Sequence, residues 1–234
     1  MTKFKNSINE NDVEIFKESY CNENSIIIQL LKENTFYRHF AEPILDVGSG
    51  MGDILSLVVP EKEVIHIDVN DFSKFKLPIK HKRITSDFYN FDPKWFDQIN
   101  TVFIAHTLQF IDDDIEMLNN KILDINPQNI ITVTNENNDF MATLINWSFR
   151  MFPKPNPEVI LTDFPLNYDI HTKLPFTATL KCPDFEILAN QVCYLMLIEP
   201  NSEQKKMLVN LLKQNLQTPT FTINQTIKIY KKNG

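Results

Sequence analysis

The chain has 234 residues, 43% of them hydrophobic and 11% aromatic, which is enough to bury a substantial core in one α/β domain. Its net charge of −7 argues against a nucleic-acid-binding protein, because such proteins usually present a basic face. Three widely spaced cysteines, an N-terminus without the apolar core of a signal peptide and the lack of a membrane-spanning apolar run predict a cytoplasmic protein.

The N-terminal segment is predicted to be helical. Apolar residues from Val13 to Leu31 recur at near-helical spacing, and the pattern extends to about Phe40. Asn22-Glu23-Asn24-Ser25 interrupts it and can cap a second helix. Packing against the rest of the domain is enough to explain this pattern.

Glycine is concentrated at one point of the chain. Three of the four glycines lie in Ile44-Leu45-Asp46-Val47-Gly48-Ser49-Gly50-Met51-Gly52, after an apolar strand pattern and before the helix-like run Ile54–Val58. Glycine permits positive φ and close approach to bare backbone, and a helix N-terminus presents free N–H groups. A tight turn would explain one glycine, whereas a nucleotide-type ligand explains all three.

The spacing of the glycines selects among nucleotide sites. A dinucleotide fingerprint needs its third glycine where Asp53 stands, and no Gly-Lys-Ser/Thr follows as in a P-loop. A carboxylate at the helix start suits the helix dipole and a ligand that carries no phosphate. The pattern Asp-Val-Gly-Ser-Gly-x-Gly resembles the first motif of class I S-adenosylmethionine-dependent methyltransferases, whose cofactor is a sulfonium with an amino acid tail and an adenosine.

This resemblance implies a fold and a cofactor. The expected fold is α/β and Rossmann-like, with a mostly parallel seven-stranded sheet, a C-terminal antiparallel strand and an N-terminal helical cap. The expected cofactor is S-adenosylmethionine, and no metal is expected because the sequence has no metal-ligand spacing. We divide the predicted single domain 1–234 into a helical cap (1–41), a cofactor-binding core (42–151) and substrate-side additions with the closing strands (152–234).

Two further segments match the cofactor side of that family. Val64–Ile67 is predicted as a strand ending at Asp68, whose carboxylate can accept hydrogen bonds from ribose hydroxyls. After a short strand Arg83–Thr85, the pair Asp87-Phe88 resembles the family's acidic-aromatic pair at the adenine, although a turn aspartate before a core phenylalanine would have the same pattern. The predicted cofactor-binding residues are Asp46, Gly48, Ser49, Gly50, Gly52, Asp68, Val69, Asp87, Phe88 and His106.

The next predicted strand is followed by candidate catalytic residues. Val102 to Ala105 is a continuous apolar run typical of a buried parallel strand. Active sites in open α/β sheets lie at the carboxyl ends of strands, which places His106 and Gln109 at the site. His106 is the candidate catalytic base, since its unperturbed pKa is about 6.5, or it lines the cofactor without a proton-transfer role.

The remainder of the chain completes the sheet. Asp112–Leu123 is predicted as a helix, and Asn129–Thr134 as a strand that delivers Asn135. Phe140–Met151 is predicted as a helix, and Glu203–Leu216 as another. Leu174–Lys181 and Phe185–Ile198 are predicted as strands around a turn at Cys182-Pro183-Asp184. The alternating Phe221–Tyr230 is the candidate antiparallel strand.

A second, weaker resemblance concerns the residues that would bind the methyl acceptor. Ala105–Gln109, the strand into Asn135 and Ile145–Pro153 resemble histamine N-methyltransferase-like small-molecule enzymes. That likeness implies amine contacts at Gln109 and Glu23. The predicted substrate-binding residues are Glu23, Gln109, Tyr20, Asn135 and Trp147. The Asn/Asp-Pro-Pro-Tyr/Phe motif of enzymes that methylate nucleobases or glutamine is absent after the fourth strand.

The resulting hypothesis is methyl transfer to a small polar acceptor such as an amine, with neither nucleic acid nor membrane as partner. Two alternatives stay open at this point. One is transfer of a carboxymethyl group from a modified sulfonium, which requires an arginine beside the transferred group, with Arg38, Arg83 and Arg150 as candidates. The other is a non-catalytic cofactor-binding partner subunit.

Overall fold

The computed structural model describes residues 20–96, 98–105, 107, 115–136, 143, 144, 147, 151, 167–195 and 198–233, and the structural statements below concern these residues. Its strands are β1 (Tyr20–Cys21), β2 (Ile44–Val47), β3 (Val64–Asp68), β4 (His81–Thr85), β5 (Thr101–Ala105), β6 (Asn129–Asn135), β7 (Tyr168–Lys181) and β8 (Thr220–Lys232). Its helices are α1 (Glu23–Lys32), α2 (Asn34–Tyr37), α3 (Asp53–Val58), α4 (Ile115–Ile125), α5 (Phe185–Leu195) and α6 (Ser202–Asn215), with a 3₁₀ helix at Pro93–Trp95.

The strands follow the hydrogen-bonded order β1-β7-β8-β6-β5-β2-β3-β4. β4, β3, β2, β5 and β6 pair in parallel, and β8 is antiparallel to β6. The predicted mostly parallel α/β sheet with an inserted C-terminal antiparallel strand is therefore confirmed. The sheet has eight strands instead of the predicted seven, because the two-residue β1 pairs with the end of β7.

The described chain divides into two compact units, and both β7 and β8 contribute to each. The larger unit comprises the described residues within 24–135, 167–176 and 225–233. Its parallel strands bury both faces, since Leu45 and Val47 join one apolar cluster with Leu118 and Ile122 of α4. Alternate strand residues such as Ile44 join a second cluster with the helices α1 and α3. Burial on both faces explains why these strands read as continuous apolar runs.

The smaller unit comprises the described residues within 20–23, 136–151 and 177–224. Its core packs α5 and α6 with Leu180 and Phe221. α6 begins with a capping box, in which the Asn201 side chain accepts from the N–H of Gln204 and the Gln204 side chain accepts from the N–H of Asn201. The predicted helix over Glu203–Leu216 is confirmed.

One predicted strand and one predicted helical position are wrong. Phe185–Leu195 is the helix α5, because Asp184 Oδ1 accepts from the Ile187 N–H at 2.8 Å and caps the first turn. Leu188 and Val192 are then buried at helical spacing. Tyr20 lies in strand β1 instead of a helix, and β7 begins at Tyr168 instead of Leu174.

The structure describes only the second part of the predicted N-terminal helical segment, from residue 20 onwards. α1 and α2 are helical as expected, and α1 begins at Glu23, within the segment predicted to cap a helix. The prediction for residues 1–19 lies outside the described residues. None of the helices in the described ranges is long and apolar enough to cross a membrane.

Candidate functional site

The glycine loop leaves the carboxyl end of β2 and enters α3. Gly48, Gly50 and Gly52 have φ values of 65°, 53° and 81°, all in the left-handed region that disfavours other residues. The Gly52 N–H donates to the Ser49 carbonyl at 2.9 Å, and the Ser49 N–H donates to the Ile67 carbonyl of β3 at 3.0 Å. The loop is therefore a tight turn held against the neighbouring strand.

The three glycines have different surroundings. A Cβ at Gly48 would lie 2.2 Å from Thr107 Oγ1, and one at Gly52 would lie 3.1 Å from His66 Cε1. A Cβ at Gly50 would meet no described atom within 4 Å. Gly48 and Gly52 are thus needed for packing against the protein, whereas the open side of the loop is at Gly50. The buried Ser49 Oγ has no hydrogen-bond partner within the described chain.

Asp68 joins the end of β3 to this loop. Its Oδ2 accepts from the Gly50 N–H at 2.9 Å, and its Oδ1 accepts from the Asn70 N–H at 2.9 Å and from Asn70 Nδ2 at 3.2 Å. The side chain is half-buried, and one lone pair of Oδ2 stays free beside the open side of Gly50. The structure thus brings together the predicted glycines and the predicted acidic residue.

Asp46 occupies a different position from Asp68. It is only 4% exposed, and its Oδ2 lies 2.8 Å from His66 Nδ1. Its carboxylate therefore faces the protein interior below the loop. A role for Asp46 in cofactor binding stays a prediction, and the structure shows a contact with histidine.

Arg83 was missed as a loop contact by the sequence interpretation. Its Nη2 donates to the Met51 carbonyl inside the glycine loop at 2.7 Å, and its Nη1 donates to the carbonyls of Phe75, at 3.1 Å, and Phe72. Burial lowers the pKa of the guanidinium, while nearby carboxylates, Asp68 first among them, raise it. A basic residue within a strand is the sequence signal that could have identified it.

The predicted adenine-side residues lie near the end of β3. The Ser86 N–H donates to the Asp68 carbonyl at 2.9 Å, which brings the segment after β4 to that strand end. Asp87 is exposed and accepts from the Tyr89 N–H at 2.8 Å, and Val69 is 53% exposed. Phe88 is buried in the apolar core. Contacts of these residues with a cofactor stay predictions.

The predicted acceptor-side residues are described only in part. Asn135 Oδ1 accepts from Gln225 Nε2 at 2.9 Å. Glu23 is half-buried at the start of α1, Tyr20 is 61% exposed, and Trp147 packs against the core of the smaller unit. His106 and Gln109 lie outside the described residues, so the predicted base and the predicted amide contact are untested.

Comparison with known proteins identifies the fold. No family model matches the sequence, and no curated protein matches it. The structure is similar to a protein of Anaeromyxobacter dehalogenans provisionally described as a type II methyltransferase, with 12% identity, a TM-score of 0.53 and coverage of 90% of this chain and 95% of that one. It is equally similar to a cyclopropane-fatty-acyl-phospholipid synthase-like protein of Lactobacillus casei, with 12% identity, a TM-score of 0.53 and coverage of 97% and 95%.

These similarities extend over nearly the whole of each chain. At such identity they establish the fold, which is the Rossmann-like class I methyltransferase fold that the motif predicted. They say nothing of the ligand or the reaction.

Proposed function

We propose that this chain is an enzyme that binds S-adenosylmethionine at the glycine loop and transfers its methyl group to a small polar acceptor such as an amine. The observation that carries the proposal is the open side of the loop at Gly50, with the Asp68 carboxylate bonded to the Gly50 N–H. The fold supports it, since ligands of open α/β sheets bind at the carboxyl ends of the strands.

The residues present fit the cofactor. The open backbone at Gly50 leaves room for the amino acid tail, and Ser49 Oγ is a buried polar atom with no partner in the described ranges. Asp68 keeps one lone pair, on Oδ2, that can accept a hydrogen bond from a ribose hydroxyl. A carboxylate rather than a basic residue also suits a ligand without phosphate. These residues would hold the cofactor through its adenosine and methionine halves.

Catalysis in this proposal is mostly positioning. When bound, the sulfonium supplies an activated methyl group, and the acceptor's lone pair forms the new bond as the carbon–sulfur bond breaks and its electron pair stays on sulfur. The chain has to hold acceptor and methyl in line and exclude water, which can lower the barrier by about 7–11 kcal/mol. A base is needed only for a protonated acceptor or a hydroxyl, and His106 is the proposed one.

The position of Arg83 favours methyl over carboxymethyl transfer. A carboxymethyl group would need a guanidinium free to bind its carboxylate. Both terminal nitrogens of Arg83 donate to backbone carbonyls, of Met51 on one side and of Phe72 and Phe75 on the other, and only its buried Nε has no partner among the described residues. Arg38 is exposed and donates its Nε to His39 Nε2 at 3.4 Å. Arg150 lies outside the described residues.

Native mass spectrometry of the purified protein, followed by calorimetry with S-adenosylmethionine and S-adenosylhomocysteine, tests the cofactor. We expect one equivalent of either ligand to bind. A panel of small amines then tests turnover through formation of S-adenosylhomocysteine. Binding without turnover would support the non-catalytic alternative, and failure to bind either ligand would reject the proposal.

On the acceptor side we expect Glu23→Gln and Gln109→Ala to raise the acceptor's KM or lower kcat, with cofactor affinity nearly unchanged. The physical reason is that neither residue belongs to the adenosine or methionine half of the proposed site. Steady-state kinetics with the best amine of the panel, together with cofactor calorimetry, separates the two effects. Equal loss of cofactor binding in both variants would contradict the assignment.

A further inference from the structure

A row of ionisable side chains crosses the sheet below the glycine loop. Asp46 of β2 pairs in register with His66 of β3, which pairs with Arg83 of β4, so the three side chains share one face of the sheet. His81 lies two residues before Arg83 and therefore on the same face. The exposed fractions of Asp46, His66 and His81 are 4%, 0% and 7%. Buried positions in the strands of a parallel sheet are usually occupied by apolar side chains, so this row of ionisable side chains needs an explanation.

Three of these groups form a continuous hydrogen-bonded chain. Asp46 Oδ2 lies 2.8 Å from His66 Nδ1, and His66 Nε2 lies 2.9 Å from His81 Nδ1. His81 Nε2 lies 3.1 Å from the Val59 carbonyl oxygen. The groups are linked in a line and do not converge on one point. No group of His, Cys, Asp or Glu residues in the described part of the chain could hold a metal ion.

The number of hydrogen bonds fixes the number of protons. Each of the three contacts needs one proton between its two heavy atoms, and the Val59 carbonyl can only accept. An ionised aspartate and two neutral imidazoles together carry only two ring protons. With two protons, one contact must therefore pair two lone pairs in a buried site, which costs about 1–3 kcal/mol. With a third proton every contact is a hydrogen bond, and the Asp46–His66–His81 chain has no net charge.

The surrounding charges favour His66 as the residue that carries the third proton. It adjoins the carboxylate of Asp46, whereas burial lowers the pKa of His81, and the hydrogen bond to the Val59 carbonyl offsets this only in part. Arg83 is the basic group that faces Asp46 from β4, and Glu61, after α3, faces His81. The other acidic groups around Arg83 are Asp53, Asp68 and Asp71. Carboxylates therefore outnumber Arg83 around this row.

The chain of hydrogen bonds contacts the residues at both ends of α3, and at the first of these ends it meets the glycine loop. A Cβ at Gly52 would lie 3.1 Å from His66 Cε1 and 3.2 Å from His66 Nδ1, so the loop backbone rests on the imidazole ring. Asp46 stands two residues before Gly48, and the Val59 carbonyl follows the last residue of α3. A change in the position of His66 would thus displace the loop where it enters α3.

We propose that the Asp46–His66–His81 chain holds one proton more than an aspartate and two neutral histidines carry, and that His66 is thereby a positioning residue for the cofactor loop. The ligand part of this inference rests on the proposed function. Loss of the third proton breaks one hydrogen bond beneath Gly52, so cofactor affinity falls as the pH rises.

Long-range ¹H–¹⁵N spectra of the free protein at about pH 7 read the protonation of each histidine ring nitrogen. We expect protons on both nitrogens of His66 and on Nε2 of His81. The spectra of His66→Gln and His81→Asn assign the signals. This measurement requires no ligand.

Calorimetry with S-adenosylhomocysteine from about pH 6 to pH 9 tests the link to the loop. His66→Leu removes both hydrogen bonds and should bind about tenfold more weakly. His66→Gln can donate one amide N–H to Asp46 and the other to His81 without an ionisable proton, so it should restore affinity and flatten the pH profile. His171→Gln, an exposed histidine of β7, is the control and should keep the wild-type profile.

The outcomes separate the two proposals. Failure of the wild-type protein to bind S-adenosylhomocysteine overturns the proposed function. Binding together with only two ring protons on His66 and His81 overturns this inference. Binding with a pH profile that His66→Gln leaves unchanged overturns it as well.

Discussion

Two aspartates beside the glycine loop have different environments and therefore different roles. Asp68 is half-buried and bonds to the loop through the Gly50 N–H. Asp46 is buried and bonds to His66. In sequence both are acidic residues at or near the end of an apolar strand. Only Asp68 lies where a ligand on the open side of Gly50 could reach a free lone pair of the carboxylate, on Oδ2.

We therefore expect Asp68→Ala to weaken cofactor binding by about 1–3 kcal/mol, the range for hydrogen bonds to a charged group. Asp71→Ala is the matched control, because Asp71 lies in the loop that follows β3 but is exposed and accepts from the Ser73 N–H at 2.8 Å. Calorimetry with S-adenosylhomocysteine measures the effect, and urea unfolding measures stability. Unaltered affinity with lower stability in Asp68→Ala would make Asp68 a structural residue.

The strand–loop–helix element around β2 and α3 combines packing with an open ligand face. Gly48 approaches Thr107, and Gly52 approaches His66 and Leu77, so neither position can take a side chain without displacing its neighbours. Gly50 alone of the three faces open space in the described structure. The element therefore needs glycine for two reasons, close packing and access to the backbone.

We expect Gly50→Val to abolish cofactor binding, because its side chain would extend into the space proposed for the ligand. Gly50→Ala is the comparison, since both variants meet the left-handed φ of 53° and Ala adds less volume. Calorimetry should show weaker binding for Val than for Ala. If Gly50→Val is folded by circular dichroism and binds as tightly as wild type, the loop is not the cofactor site.

In the larger unit a second pair of histidines affects the stability of the whole protein. His39 is buried, and its ring contacts that of His171 with the centroids 5.2 Å apart. Burial first, and then the positive charges of Lys231, His171 and Arg38, lower the pKa of His39 to about 4. The folded protein thus keeps His39 neutral at pH values where the unfolded chain, with a histidine pKa near 6.5, binds a proton.

The direction of the pH dependence follows from the difference between the pKa values of His39 in the folded and unfolded states. Because the folded pKa is depressed, the contribution of neutral His39 is complete above about pH 6.5 and is lost as the pH falls towards 4, by about 3 kcal/mol at most. We expect His39→Gln to reduce the decline in the free energy of unfolding between these pH values. Urea titrations of the wild-type protein and the variant at several pH values measure it. An identical decline in the His39 variant would contradict the assignment.

Several features could be predicted from the sequence because their causes are local. The glycine loop follows an apolar strand, and the later parallel strands β5 and β6 are similar runs, so the fold class was accessible from the sequence. Local sequence patterns also led to one wrong prediction of a strand. The apolar residues of Phe185–Leu195 fit a buried strand, and the Asp184 cap that makes this segment a helix resembled a turn.

Contacts between polar residues were decided by the tertiary structure alone. Asp46 and His66 are 20 residues apart, Arg83 and the Met51 carbonyl 32, and Thr107 and Gly48 59. Whether a histidine in a strand meets an aspartate depends on the register between strands, which no local pattern specifies. The sequence by itself therefore determined where a cofactor site would form, because glycine and apolar periodicity act within a few residues. Only the folded sheet decided which side chains support that site, because register brings distant residues together.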